Sequence, residues 1–345
     1  MTSRKEPTIY DLAKRLNVSS STISRALSNH DCVSKKTRKR VVELAEELGY
    51  TKNNFASQLR SGKTHTIGVI THNLNSAFIT SILTGIEKVA SESQYNIIIR
   101  HSSDSNEKEI ANADILFRKR VDGLIVSLAS DTTTISHYNQ FVERGVPVVF
   151  FDRVQMDAPG VRVVIDNKTA GYKAAKHLIG QGCKRIMHVT GNLSKNVYVD
   201  RLQGLRNALA EHDLPFESTQ LVVNDLNEQS GIAVAEQILN MEVKPDGLFI
   251  VGDLCASLCM QHLKTNGIGI PQDIAIVGFN NDVVSRIVEP KLTTINYSGR
   301  EMGEVAATNL ISKLNGGVPA DLNYTIVLAS GLIVRDSSLR HRMKL

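Results

Sequence analysis

The sequence predicts a small all-α domain at the N-terminus, followed by a larger α/β core of two doubly wound parallel-sheet subdomains. In the first fifty residues, apolar side chains recur at helical spacing. From residue 66 onward, short β-branched runs alternate with helical runs, which is typical of parallel sheets covered on both faces. Residues 1–64 carry 13 Lys and Arg against 6 Asp and Glu, whereas the other 281 residues carry 27 against 29. This asymmetry indicates one polyanion-binding module, although charge alone would favour a solvated basic surface, so the pattern of residues must decide.

The N-terminal domain has the pattern of three capped helices. Thr8 and, three residues later, Asp11 form a capping signal for the first helix. Ser19 is placed to cap a second helix over about residues 20–28, and Ser34 is placed to cap a third. The short turn between the first two is the spacing of a helix-turn-helix, whose second helix enters the major groove. The alternative is a three-helix bundle with a purely structural role.

The outward face of the second helix carries the side chains that base recognition needs. Ser20, Ser21, Ser24 and Arg25 lie opposite its apolar residues. Arginine bonds guanine bidentately, and serine hydroxyls bond bases or phosphates. Lys39 belongs to a basic stretch, residues 35–40, which we expect near the phosphate backbone.

The core alternates strands and helices in two halves, at about 65–162 and 163–292. The predicted strands are 67–70, 96–100, 123–127, 147–151, 163–165, 185–189, 247–251 and 274–277, with a final strand pair near 324–335. The predicted helices are 76–93, 107–119, 167–181, 201–212, 228–240, 254–266 and 299–314.

Polar residues follow the ends of several of these strands. Ligands of parallel sheets bind outside the carboxyl ends of the strands, so these residues are the candidate ligand contacts. The polar candidates are Asn73, Asp152, Arg153, Asn192, Asp253 and Asn280, with Arg201 on the helix that follows Asn192 and the aromatic Phe78 in the segment after the first strand. Convergent polar groups suit a sugar or a nucleobase, because each buried hydroxyl must find a partner. Taken singly, each residue has an equally good interpretation as a strand-end cap.

Other signals argue against metal, cofactor and enzyme chemistry. No phosphate-binding Walker loop, His-Glu-x-x-His or Gly-x-Ser-x-Gly motif is present, and we expect no cofactor. Cys255, Cys259 and His262 share a helix face, but they lie in an apolar stripe that favours core packing over metal binding. Asp152, Arg153 and Asp253 are candidates for acid–base work in an enzyme, yet no nucleophile–base pair or metal motif accompanies them.

The composition favours a cytoplasmic protein without a membrane partner. The four cysteines are scattered, no apolar run is long enough to cross a bilayer, and no stretch near the N-terminus has the length of a signal peptide. An exported sugar-binding receptor is therefore the weaker alternative. No heptad repeat follows the last predicted strand, so nothing predicts a tetramer-forming coiled coil.

Four segments together resemble the lactose/galactose repressor family. They are TIYDLA from Thr8, VSSSTISRALSN from Val18, VSKKTR from Val33 and LGY from Leu48, and the resemblance extends over essentially the whole chain. It implies a homodimeric DNA-binding transcriptional regulator, expected to be a repressor, with a core like that of the periplasmic binding proteins. It further implies that a small molecule, expected to be a sugar or a sugar derivative, controls affinity for double-stranded operator DNA.

The resemblance also implies roles for individual residues. Ser20, Ser21 and Arg25 occupy base-reading positions, and Ser19, Thr22 and Ser24 lie close to the DNA backbone. The full expected DNA-contacting set is Thr8, Ser19, Ser20, Ser21, Thr22, Ser24, Arg25, Asn29, Lys39, Leu59 and Arg60. Residues 54–60 match a hinge helix in which Leu59 is a wedge between base steps. Without the resemblance, this stretch is an ordinary linker.

For the core, Phe78, Asp152, Arg201, Asp253 and Asn280 match ligand-contacting positions of the family. The family commonly has an aspartate at position 280, whereas Asn280 both donates and accepts, so no particular sugar is assigned. The expected domains are 1–50 for the DNA-binding domain, 51–64 for the hinge and 65–345 for the core. Within the core, subdomain one is expected at about 65–162 and 293–326, and subdomain two at about 163–292 and 327–345.

Overall fold

The computed structural model describes residues 7–27, 29–50, 62–317, 319 and 322–340. By the contacts between its residues, the chain divides into two units, Met1–Thr64 and His65–Leu345. Each unit is described by itself.

Three helices form the first unit: α1 (Ile9–Leu16), α2 (Ser20–Leu27) and α3 (Lys35–Leu48). A reciprocal capping box starts α1, since Asp11 donates its amide to the Thr8 hydroxyl and accepts the Thr8 amide on its carboxylate. Asn17, in the left-handed region with φ 52°, ends α1 and turns the chain toward α2. One fully buried side chain from each helix meets at the centre: Leu12, Ile23 and Val41. The predicted helix-turn-helix layout is confirmed.

Two sheets form the second unit. The first contains β1 (Thr66–Thr71), β2 (Asn96–His101), β3 (Gly123–Val126), β4 (Val148–Phe151), β5 (Val161–Ile165) and β11 (Tyr324–Leu328). The second contains β6 (Ile186–Thr190), β7 (Leu221–Val223), β8 (Gly247–Ile250), β9 (Ala275–Phe279), β10 (Thr293–Asn296) and β12 (Gly331–Ile333). The strand orders are β11-β5-β4-β3-β1-β2 and β12-β10-β9-β8-β6-β7, and β12 runs antiparallel to its neighbour while the other described pairings are parallel.

Helices surround both sheets. With the first sheet, α4 (Ala77–Glu92), α5 (Asn106–Arg118), α6 (Asn139–Glu143) and α12 (Gly299–Leu314) make the first lobe. With the second sheet, α7 (Asn167–Gly180), α8 (Asn196–Ala210), α9 (Glu228–Leu239), α10 (Asp253–Thr265) and α11 (Val284–Ile287) make the second lobe. The predicted architecture of two parallel α/β subdomains is confirmed.

The close packing of α7 against α8 fixes the position of Arg201. A Cβ atom on Gly171 would overlap the Arg201 carbonyl oxygen, and one on Gly204 would overlap the Lys168 carbonyl oxygen. Glycine is therefore needed at both positions for the backbones to approach this closely. This close backbone contact fixes where the Arg201 side chain leaves the helix.

Strand pairing corrects the predicted subdomain boundaries. β5 pairs with β4 and β11, so residues 163–165 belong to the first lobe, and β11 extends the first lobe through residue 328. β10 pairs with β9, so residues 293–296 belong to the second lobe. The chain crosses between lobes three times, after β5, β10 and β11. Each misplaced segment is the last strand before a crossing, and its ladder partners, which the local pattern does not reveal, decide which sheet it joins.

Some elements of the second unit were not predicted. The strand β7 and the short helices α6 and α11 have too few residues for a periodic signal. The helix α8 begins at Asn196, five residues before the predicted start. In the part of the chain that the structure describes, no helix has the length and apolarity needed to cross a membrane.

Candidate functional site

The exposed face of α2 presents a row of hydroxyls and one guanidinium. Ile23 and Ala26 are buried, while Ser21 and Arg25 are exposed. The Ser19 hydroxyl accepts the Thr22 amide at 3.1 Å, which caps α2 as predicted. The same hydroxyl lies 2.7 Å from the Ser21 hydroxyl and 2.8 Å from the Thr22 hydroxyl. These linked hydroxyls are both donors and acceptors, as phosphate and base contacts require. Ser20 and Ser24 are partly exposed on the same helix.

Around α2, the other predicted contacts are exposed. Thr8 caps α1 at the surface, and Asn29 follows α2 with a left-handed φ of 57°. The Lys39 side chain is 78% exposed and lies 3.8 Å from Glu43, an ion pair too solvated to restrain it. Leu59 and Arg60 lie outside the described residues.

Asp152 and Arg153 are buried at the end of β4, in the first lobe. Asp152 has a left-handed φ of 55° and is 7% exposed. The Arg153 guanidinium donates to the Asp104 carboxylate at 2.6 Å and, across the lobes, to the Tyr198 hydroxyl at 2.9 Å. Because the Arg153 guanidinium bonds to Asp104 of the first lobe and to Tyr198 of the second, it links the two lobes in this conformation.

Arg201 is the matching cation of the second lobe. It is buried on α8, and its Nε donates to the Asn167 side-chain oxygen at 2.8 Å. Its guanidinium carbon lies 3.6 Å from the centre of the Phe279 ring. The Tyr297 ring, at the second crossing, lies 5.6 Å from Phe279 and 4.5 Å from the ring of the predicted contact Phe78. A guanidinium and three aromatic rings therefore meet between the lobes.

The pKa of the buried Asp152 carboxyl is shifted by its burial and by both cations. Burial raises the pKa of Asp152, while the charges of Arg201 and Arg153 lower it and only partly offset the burial. For Arg153, burial opposes the charged form, but Tyr198, Asp104 and Asp152 outweigh it and raise the pKa. The cleft between the lobes thus holds two guanidinium groups, Arg153 and Arg201, and two carboxylates, Asp104 and Asp152.

Asn280 and Asp253 differ in what they can offer a ligand. Asn280 is partly exposed, and its side-chain oxygen accepts from the Tyr297 hydroxyl at 3.4 Å. Asp253 is 0% exposed, and its two carboxylate oxygens accept from the Thr294 hydroxyl at 2.7 Å and the Asp282 amide at 2.8 Å. Burial raises the pKa of Asp253 to about 8. Each oxygen thus carries a hydrogen bond within the second lobe, and Asp253 orders the loop that follows β9. A direct contact between Asp253 and a ligand stays a prediction.

Asn73 and Asn192 lie at the rim of the cleft and are exposed. The Asn73 side-chain oxygen accepts the Asn75 amide at 2.7 Å, which is the strand-end cap that the alternative interpretation describes. Asn192 donates to the Ser130 carbonyl oxygen of the first lobe at 2.9 Å.

Of the aromatic residues at this site, sequence reasoning found Phe78 and missed Tyr198, Phe279 and Tyr297. Tyr198 precedes Arg201 by one helical turn, and Tyr297 directly follows β10. Tyr297 would have been found if β10 had been recognised as a strand of the second sheet, because the strand-end rule would then have applied. Cys255 and Cys259 are fully buried in an apolar cluster of the second lobe, in agreement with the core-packing interpretation. Among the residues that the structure describes, no cluster of His, Cys, Asp and Glu could hold a metal ion.

Comparisons with known proteins match both units. Residues 8–53 match the bacterial regulatory proteins of the lacI family, and residues 175–338 match the periplasmic binding protein-like domain. The catabolite control protein A of Priestia megaterium is 33% identical over 89% of this chain and 92% of its own length. The Lac repressor bound to ONPG in its repressed state has a TM-score of 0.86 at 27% identity, covering 97% of this chain and 100% of the other. The complex of the transcriptional regulator CelR with cellobiose has a TM-score of 0.73 at 27% identity, covering 96% and 100%.

These likenesses cover the helix-turn-helix unit and the two-lobed core together, and they are to transcriptional regulators and not to enzymes. The chain therefore belongs to the lacI family of DNA-binding transcriptional regulators, with an N-terminal helix-turn-helix and an effector-binding core like that of the periplasmic binding proteins.

Proposed function

We propose that the protein is a repressor that binds operator DNA as a homodimer, and that a neutral sugar or sugar derivative in the cleft sets its operator affinity. The observation that carries the effector class is the pairing of matched charges with aromatic rings. Asp152 from one lobe and Arg201 from the other are buried beside Phe279 and Tyr297.

A sugar needs hydrogen-bond partners around its ring and an apolar surface against its face. Asp152 accepts from hydroxyls, Arg201 donates to them, and Asn280 does both. The rings of Phe78, Phe279 and Tyr297 supply the apolar surface. Because the two carboxylates of Asp152 and Asp104 balance the charges of Arg201 and Arg153, a neutral ligand leaves no charge unpaired. The likeness to the cellobiose complex of CelR supports the same class. Asn73 and Asn192 are proposed as rim contacts, Arg153 as a buried contact next to Asp152, and Asp253 as the residue that positions Asn280.

For DNA, we assign base reading to Ser20, Ser21 and Arg25 on α2. We assign backbone contacts to the surrounding hydroxyls and amides and to one lysine: Thr8, Ser19, Thr22, Ser24, Asn29 and Lys39. Leu59 and Arg60 are proposed for the minor groove on the strength of the family pattern alone. Since the protein acts on DNA, we place it in the cytoplasm.

The dimer is supported by an exposed apolar surface on the second lobe. We call this surface the α10–α11 face; it consists of Leu254, Val283 and Ile287, which are 42%, 57% and 75% exposed. Leu254 lies on α10, Ile287 lies on α11 and Val283 directly precedes α11, and these two helices pack against each other. Exposing this apolar surface to water is unfavourable. A second copy that presents the same face would cover them, as twofold symmetry requires.

The test is a thermal-shift screen of the full-length protein against neutral mono- and disaccharides, their phosphates, and purines. A ligand that binds only the folded state raises the melting temperature in proportion to its saturation. We expect neutral sugars to raise it and phosphorylated ones to do so less. If a purine or a sugar phosphate gives the largest shift and neutral sugars give none, the proposed effector class is wrong.

A further inference from the structure

A second group of contacts joins the lobes, in the loop between β6 and α8. Asn192 donates to the Ser130 carbonyl oxygen at 2.9 Å. Asn196 accepts the Val154 amide and donates to the Asp152 carbonyl oxygen, both at 3.0 Å. These bonds can form only while the two lobes are in contact, so their presence distinguishes a closed cleft from an open one.

Lys195 places a charge among these contacts. Its side chain is 4% exposed, and its ammonium donates to the Thr132 carbonyl oxygen of the first lobe. An ammonium taken out of water is strongly disfavoured unless an anion compensates it. A second residue must therefore account for its burial.

Glu109, on α5 of the first lobe, supplies that anion. It is 0% exposed, and its carboxylate accepts the Ala129 amide at 2.6 Å, the Thr132 hydroxyl at 3.0 Å and the His137 Nε2 at 2.9 Å. Thr132 therefore touches Glu109 with its hydroxyl and Lys195 with its carbonyl oxygen. The three groups that contact the carboxylate all come from the first lobe, so this anionic socket does not depend on Lys195 for its shape.

Other charges act on Lys195 less strongly than Glu109 does. Burial lowers the pKa of Lys195, Glu109 is the largest charge that opposes this, and Asp131 and Asp104 add to Glu109 while Arg153 acts against it. The favourable charges all belong to the first lobe, whereas Lys195 belongs to the second.

We propose that Lys195 is a positioning residue that holds the cleft closed by docking its ammonium onto the Thr132–Glu109 socket. The socket is present in the first lobe before closure, and opening returns the ammonium to water. Because the loss of hydration offsets much of the attraction, such a pair biases the equilibrium and leaves the cleft able to open. In the proposed function, this bias sets how much binding energy an effector must supply to close the cleft.

The test is hydrogen exchange of the ligand-free, full-length protein, in the parent and in Lys195→Met, Glu109→Gln and the double variant. Methionine keeps the apolar stem and removes the ammonium. Lys184→Met, at an exposed lysine of the same lobe, is the matched control. Losing a hydrogen bond to a charged group should speed exchange by roughly tenfold at the rims of both lobes, residues 127–135, 150–158 and 190–199. Exchange in β8 and in the control should stay unchanged.

We expect the double variant to change exchange by less than the sum of the single variants, since both remove one interaction. Lys195→Arg should restore most of the protection. Unchanged exchange at the rims, or an equal rise in β8, would assign Lys195 to packing alone and overturn the proposal. No ligand is added, so this outcome is separate from the outcome of the sugar screen.

Discussion

Arg25 and Lys39 carry the same charge but differ in their settings. Arg25 is on the exposed face of α2 among hydroxyls, whereas Lys39 is on α3 and 78% exposed. We predict that Arg25→Ala costs about 1–3 kcal/mol of base discrimination, while Lys39→Ala weakens all DNA equally and flattens the dependence on salt. Binding to a selected operator and to random duplex, each at several salt concentrations, measures both effects. If neither variant changes the ratio of selected to random binding, α2 is not the recognition helix.

His188 couples the stability of the core to pH. It is fully buried on β6, its Nδ1 bonds to the Phe249 carbonyl oxygen at 3.0 Å, and its Nε2 has no partner within the described residues. The pKa of His188 is lowered to about 3, chiefly by burial; the bond to the Phe249 carbonyl oxygen opposes this shift, and the charges of Arg201 and Arg206 add to it. The unfolded chain binds this proton at a pKa of about 6.5, so His188 favours folding above that pH and loses its contribution as pH falls toward 3.

We predict that the free energy of unfolding falls less steeply between pH 7 and pH 4 in His188→Asn than in the parent. Asparagine keeps a donor for the Phe249 carbonyl oxygen and binds no proton in this range. Denaturant unfolding at each pH measures the slope, with the exposed His101→Asn as the control. Equal slopes in His188→Asn and the parent would contradict the assignment.

Residue types at strand ends were predictable from the sequence, but their orientations were not. The strand-end rule singled out Asp152, Arg201 and Asn280, which are the groups that meet between the lobes. It also singled out Asp253, whose carboxylate is satisfied by Thr294 and Asp282. Thr294 lies on β10, a strand of the second sheet that the sequence pattern did not reveal. The hydrogen bond from Thr294 to the Asp253 carboxylate therefore could not be predicted either.

At the scale of elements, α11 is too short to have been predicted, yet it carries the most exposed apolar residue of the α10–α11 face. We predict that Ile287→Asp converts the proposed dimer to a monomer, because each copy would have to bury a carboxylate in the interface. Sedimentation at micromolar concentration measures the change. Val243→Asp is the matched control, since Val243 is 66% exposed and lies outside the face.

Operator binding should weaken together with dimerisation in Ile287→Asp, because a single helix-turn-helix covers only one half-site. If Ile287→Asp remains a dimer, the α10–α11 face is not the interface. A parent protein that is monomeric and still binds the operator fully would remove the need for a dimer.

For the whole molecule, periodicity was enough to predict two units and two parallel α/β lobes. Long apolar runs such as 66–71 and 247–250 are unambiguous because both sheet faces are covered. The crossings were misplaced at β5 and β10, since membership of a sheet depends on partners far away in sequence. The crossing after β10 brings Tyr297 to the cleft, so its place beside Phe78 and Phe279 could not be predicted without that strand.

We propose that a ligand in the cleft changes operator affinity, and Arg201→Ala separates the response to the ligand from DNA binding itself. Arg201 belongs to the second unit, whereas the helix-turn-helix belongs to the first. Operator affinity is measured by fluorescence anisotropy on a duplex selected from a random pool, with and without the sugar that gives the largest thermal shift. We predict a change of about fivefold or more in the parent. In Arg201→Ala, we predict nearly the parental affinity without sugar and no change when it is added. An equal response to the sugar in both proteins would contradict the account, because the cleft would then not be the sensor.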